Sequence, residues 1–306
     1  MGAPISRLGS RTWLRRLSWA TLVANIGIVL TGGAVRLTAS GLGCPTWPRC
    51  TEESFTPHGA LDFHSAIEFG NRTLTFVLGA VAIVTFVGAW QSGRRDLRVL
   101  ALWLGLGIPA QAVVGGITVL TDLNPWIVSF HLLVSLAIIS LAVLYLHRID
   151  VPASPPVVGE RETGSKALAL AWTTYAAAWV VLYLGTVVTG SGPHAGDVDV
   201  PRNGLDPLQL SQLHADFVFL LVGLTVALVI VHPSRGTWAL LVVELAQGLI
   251  GFVQYFTDLP VVLVGFHLLG AAVLTAVVTR TVISVREGHR VGSPTDAPPL
   301  WWNVPR

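Results

Sequence analysis

Eight apolar runs dominate the chain, near residues 17–35, 66–90, 99–119, 126–146, 167–189, 213–231, 237–256 and 261–284. Each is long enough to cross a hydrocarbon core of about 30 Å as a helix rising about 1.5 Å per residue. Lipid offers no partner to a bare amide, so runs of this length fold as spanning helices. A soluble alternative fails on composition, because 52% hydrophobic and only 12% charged residues cannot cover a water-facing surface. The expected fold class is an all-α integral membrane protein with eight transmembrane helices.

The placement of Lys and Arg orients the bundle, since positive residues are held on the cytoplasmic side. With the N-terminus inside, all but Arg36, Arg49, Arg72 and Arg202 of the 19 Lys and Arg fall in the cytoplasm, an N-in, C-in arrangement. The net charge of +2 reflects this topology and gives no hint of nucleic acid. A basic segment before an apolar run also resembles a signal peptide. No A-x-A site follows it, however, and Gly27, Thr31 and Gly32 recur as Gly185, Thr189 and Gly190, which ties helix one to the fold.

The strongest repeat lies further on. AQAVVGGITVLTDLNPWIVSFHLL at 110–133 returns as AQGLIGFVQYFTDLPVVLVGFHLL at 246–269, an offset of 136 residues. A duplicated helix–turn–helix implies two pseudo-repeated four-helix halves. The expected organisation is a basic leader (1–16), a first half (17–147), a Pro-, Gly- and charge-rich linker (148–166), a second half (167–284) and a polar tail (285–306).

Each copy ends with a histidine one turn into an apolar segment, where an unpaired imidazole is costly and usually retained for a purpose. His131 and His267 are therefore equivalent candidates. His214 opens helix six at a similar depth, and helix two opens HSAIEFGNR, carrying His64, Glu68, Asn71 and Arg72. His64 and Glu68 share a face, being four apart. All enter from the outer side in the expected topology. His147 at the cytoplasmic end, His194 in the second outer loop, and the interfacial His232 and His289 read as structural or solvated. Gln111 and Gln247 read as packing glue, and Glu244 as an interhelical hydrogen bond.

One histidine on each of helices six and eight suits a haem iron clamped from both sides within a four-helix bundle. Zinc would want three or four ligands close together, and the second half offers only His214 and His267. In the first half His131 has no histidine at the partner place, only Glu68 and Asn71 with His64 a little earlier. An iron held by His131 alone keeps an open face beside a carboxylate, which suits oxygen activation, whereas a doubly ligated iron suits electron transfer. Cys44 and Cys50, in GLGCPTWPRC of the first outer loop, lie in an oxidising compartment; both a structural staple and a thiol-exchanging pair are open to them. That loop, rich in Trp and Pro, reads as a lid.

In this combination, over residues 17–284, the chain resembles the haem A synthase family. The resemblance rests on eight helices in two halves, Cys44 and Cys50, Glu68 to Arg72, and His131, His214 and His267. It implies an enzyme of the bacterial plasma membrane that oxidises the C8 methyl of haem O to a formyl group by successive hydroxylations, near the outer face. By the same resemblance haem b sits between His214 and His267. His131 ligates the iron of haem O, and Glu68 is the acidic group at the reacting centre. The cysteine pair assists haem handling or redox chemistry. Many members read E-x-x-H-R on helix two, whereas here the position is Asn71; His64 could replace it only if the haem sat higher. Partners expected are haem O, membrane lipid and, from pathway logic, the farnesyltransferase that makes haem O; the oligomeric state is not written in the residues. A dihaem b-type electron carrier and a haem-free two-repeat transporter are the rival readings.

Overall fold

A computed structural model describes residues 7–57, 62–151, 162–197 and 199–291, with residues 162–165 and 288–291 described as backbone only. After a short 3-10 turn, Arg7–Gly9, come α1 (Arg11–Leu37), α2 (Phe63–Gln91), α3 (Arg95–Leu120), α4 (Pro125–Asp150), α5 (Glu162–Ser191), α6 (Pro207–Val231), α7 (Arg235–Phe256) and α8 (Val261–Val291). All eight are long and apolar enough to span a membrane, and no strand occurs among the described residues. The all-α membrane fold is thus as the apolar runs require.

Helix starts follow local chemistry. Asp62 accepts from the His64 amide; Asn124 and Asp206 cap helices that open on Pro125 and Pro207, whose missing N–H costs nothing there. Ser234 and Thr237 form a reciprocal capping box at α7. The repeated Thr-Asp-Leu ends α3 and α7 in the same way. Asp122 and Leu123 take positive φ (49° and 54°), as do Asp258 and Leu259 (58° and 56°). The Leu123 amide donates to the Thr118 carbonyl and the Leu259 amide to that of Gln254, both at 2.8 Å, closing the last turn.

Contacts divide the helices into two rings. α1 packs on α2 and α4, and α3 bridges α2 and α4; α5 to α8 repeat the pattern. The rings join where α4 meets α8 and α5, and where α1 meets α8. The largest cluster of buried side chains runs along this seam, with Leu136, Ile139, Ala142 and Tyr145 of α4 against Ala178, Ala272 and Val278. Small residues allow close approach of the helices, and Thr279 donates across the seam to Ser140 at 3.0 Å. Large apolar side chains such as Phe76, Ile83, Leu249 and Ile230 are exposed, as a lipid-facing surface demands.

Several boundaries differ from expectation, for electrostatic reasons. α1 starts at Arg11 rather than 17, with Arg11 paired to Asp150 at the end of α4 at 2.7 Å. α8 continues past 284 to Val291, carrying Glu287 to the His147 ring at 2.5 Å. Residues 1–6, most of the expected linker (152–161), the tail from 292 and the His289 side chain lie outside the described set.

Candidate functional site

The expected ligands gather at the end of the bundle that carries the first loop, residues 38–57. Three of them share one environment. His131 on α4 faces α3, where a Cβ on Gly115 would lie 3.3 Å from the ring. His267 on α8 faces α7 likewise, with Gly251 at 3.5 Å, and His214 on α6 faces α5, with Gly185 at 3.2 Å. In each case the neighbouring helix supplies a bare backbone, and the ring approaches it by its Cε1 edge. All three Nδ1 atoms are buried; that of His131 has no hydrogen-bond partner among the described residues, while the His214 and His267 rings lie against the backbone of Val181 and Gln247. A sealed imidazole nitrogen without a partner is costly unless something else satisfies it. His214 and His267 are also near enough for a charge on one to be felt by the other.

The supports below the rings are partly repeated. Gln111 donates to the His131 carbonyl at 3.0 Å and to Ser135, fixing α3 against α4. Gln247, its counterpart, lays its amide on Gly270, where any Cβ would overlap it. Both glutamines thus serve as the packing glue expected. Glu244 receives a hydrogen bond from Thr225 of α6 at 2.8 Å, the interhelical contact expected, and its second oxygen is buried without a partner.

The fourth place breaks the pattern. On α2 the residue turned toward α1 is Asn71, which accepts from Thr31 at 2.8 Å and lies near Gly32. Gly27 is the counterpart of Gly185, and it sits one turn from Thr31 on the same face of α1. A Cβ at Gly27 would meet nothing within 4 Å, where its counterpart meets His214. The first ring therefore has one imidazole and a gap where the second ring has two imidazoles.

Glu68 and Arg72 lie above this gap and are fully engaged. The buried Glu68 carboxylate accepts from the Cys44 amide at 2.6 Å through one oxygen and from Arg72 through the other. Arg72 also donates to the carbonyls of Cys44 (2.8 Å), Thr46 (2.9 Å) and Arg49 (3.2 Å). Cys44 and Cys50 form a disulfide and are both buried. Glu68, Arg72, Cys44 and Cys50 are thus one connected unit, a grouping that spacing alone did not reveal. His64 stands apart at the exposed start of α2, its ring bonded to Ser40 at 3.0 Å.

Other contacts lock the loops together. Arg36 donates to the carbonyls of His194 (2.6 Å) and Thr189 (3.1 Å), and the Gly41 amide donates to the Gly196 carbonyl. His194, expected to be a solvated loop residue, instead pairs with the Leu259 carbonyl at 2.9 Å. At the far end His147, expected at the cytoplasmic interface, is buried between Arg280 (2.8 Å) and Glu287. No local signal could have found that cluster, because His147 stands 133 and 140 residues from Arg280 and Glu287 in the sequence.

Comparison with known proteins fits this architecture. The family model described as cytochrome oxidase assembly protein, COX15-CtaA, matches residues 15–197. A haem A synthase of Halalkalibacterium halodurans is 26% identical over 274 residues, covering 85% of this chain and 90% of its own. One from Bacillus cereus is 24% identical over 315 residues, covering 92% and 99%, and one from Lysinibacillus sphaericus is 29% identical over 192 residues, covering 57% and 58%. The matched region takes in the whole first ring and α5, and the chain belongs to the COX15-CtaA family of cytochrome oxidase assembly proteins.

Proposed function

We propose that the chain is a haem A synthase, a membrane oxidoreductase that converts the C8 methyl of haem O into a formyl group. Two hydroxylations, each adding one oxygen atom and removing two electrons from the carbon to an oxidant such as dioxygen, give a geminal diol, which loses water to leave the aldehyde. The reading is carried by the contrast between the rings, two glycine-backed imidazoles in one and a single imidazole beside a gap in the other. In the second ring His214 and His267 would hold haem b, whose iron supplies reversible one-electron chemistry. In the first ring His131 would hold the iron of haem O and leave its other face free.

The chain's own residues have distinct tasks in this reading. Gly115, Gly185 and Gly251 leave room for the Cε1 edges of the imidazoles against neighbouring helices. The buried His131 Nδ1 without a partner and the glycine cradles suit an iron-bound macrocycle better than a closed apolar core. Glu68 holds a negative charge at the roof of the first site, balanced by Arg72, near where protons must be taken up or released. The family relatives named haem A synthases, two of them spanning most of the chain, support the substrate assignment. With the basic ends of the helices on the cytoplasmic side of a bacterial plasma membrane, both sites face the extracytoplasmic side. Pathway logic adds a handover of haem O from the farnesyltransferase that makes it.

The test is expression in a host that makes haem O but no haem A. Extracted haems are expected to contain haem A under oxygen. A folded, haem-loaded protein that yields neither haem A nor a hydroxylated intermediate excludes this function. Two low-spin haems of one type, with a Glu68→Gln variant that still turns over, would indicate an electron carrier instead.

A further inference from the structure

The loop closed by Cys44 and Cys50 carries Trp47 at its middle, and the indole is laid on α3 at Gly116. A Cβ added at Gly116 would fall 2.3–2.6 Å from the Cγ, Cδ2 and Cε2 atoms of that ring. No real side chain fits there, and an indole cannot fold aside as a flexible chain end would. Gly116 directly follows Gly115, the residue that backs His131. The half-buried indole is therefore seated on the outer part of α3, one residue along from the glycine that backs His131.

The loop holds Trp47 from both sides. Arg72 binds the carbonyls of Cys44 and Thr46 before it and of Arg49 after it, and the disulfide closes the segment six residues apart. Glu68 holds the Cys44 amide and orients the Arg72 guanidinium. Thr46 adds a bond from its hydroxyl to the Arg49 carbonyl, at 2.8 Å, across the indole's own residue. All these contacts leave the Trp47 ring as the only large apolar group that the closed segment offers to the bundle.

Among the described residues nothing comparable occurs in the second ring. At the offset of the repeat, Gly116 corresponds to Phe252, which is half exposed and lies against Phe219 at 6.4 Å. The second loop, GSGPHAGDVDVPRNGLDP, contains neither tryptophan nor cysteine. The indole and the glycine that admits it occur together, and only on the side with the gap.

We propose that Trp47 is a positioning and specificity residue of the first site, an aromatic roof that contacts the face or edge of a bound porphyrin and keeps it seated on His131. The disulfide, Glu68 and Arg72 then serve to present this one ring at a fixed height. An apolar, flat aromatic macrocycle is the ligand class that an indole in such a place recognises, by stacking or edge contact. The inference rests on the haem O reading of the first ring.

The experiment uses full-length protein made in a host lacking haem O, so that it carries haem b alone, with haem O titrated into detergent-solubilised protein by difference absorption. Wild type is expected to bind haem O. Trp47→Ala should bind at least about tenfold more weakly, the scale of one lost aromatic contact of about 1.5 kcal/mol, while the haem b band stays. Trp47→Phe should recover most of the loss, and Gly116→Ala should reproduce it by expelling the indole. Haem O binding to Trp47→Ala at wild-type strength overturns the roof. If Trp47→Ala loses haem b too, Gly116→Ala decides: weakened haem O binding with haem b retained supports the proposal, and unchanged binding overturns it. A wild type that binds haem b but no haem O defeats the functional reading itself, and so separates the two failures.

Discussion

Asn71 decides more of the first ring's character than any other residue. Its amide is tied to Thr31, and Gly27, one turn along α1, looks onto free space. An imidazole at 71 would reach into that space, as His214 does beside Gly185. Asn71→His is expected to turn the haem in the first site low-spin and to weaken binding of an added ligand such as cyanide at least tenfold. It also removes the bond to Thr31, at a cost of about 1 kcal/mol. Electron paramagnetic resonance of the protein loaded with haem O reads both the spin state and the competition. A spectrum that stays high-spin in the folded variant would show that residue 71 does not face the iron.

At the scale of elements, α2 and the first loop form one unit through Arg72. Four acceptors converge on that guanidinium, the Glu68 carboxylate and the carbonyls of Cys44, Thr46 and Arg49. Arg72→Ala strands a buried carboxylate, and truncating one member of a buried pair costs roughly 3–5 kcal/mol. The expected outcome is a lower melting temperature and faster proteolysis within residues 44–57, measured against wild type in the same detergent. Arg72→Lys should restore only part, since three donors on a point charge cannot replace the planar fork. The sequence made α2's polar stripe visible, because residues four apart share a helix face. It could not show that the stripe looks up into the loop, for the loop's path depends on backbone carbonyls, which carry no residue signature. The same reason hid the seat of Trp47: a glycine in an apolar helix says only that something approaches closely.

Across the whole molecule, the fold was legible because lipid permits so few solutions, and long apolar runs with turn residues between them leave little choice. The pairing of the rings was less so. α4 and α8 meet through small and apolar residues that resemble any other part of a membrane helix, and their far ends are joined by Arg280, His147 and Glu287. Arg280→Ala is expected to lower stability by roughly 3 kcal/mol by breaking up this buried group. Both haem spectra should be unchanged, because the cluster lies at the end opposite the histidines. Differential scanning of the haem-loaded protein with parallel spectra checks this; loss of either haem with no change in melting would show that the two ends communicate.

The seam between α4 and α8 also bears on how charge moves. His131 and His267 sit on adjoining rods, and packed helices keep their axes roughly 8–10 Å apart. In the proposed reading each haem would lie inside its own ring with the α4–α8 contact between them, so an electron passing from one to the other would cross the protein itself. Reducing equivalents that reach the second ring then need no diffusing shuttle to reach the first, and the donor has only one docking place to find.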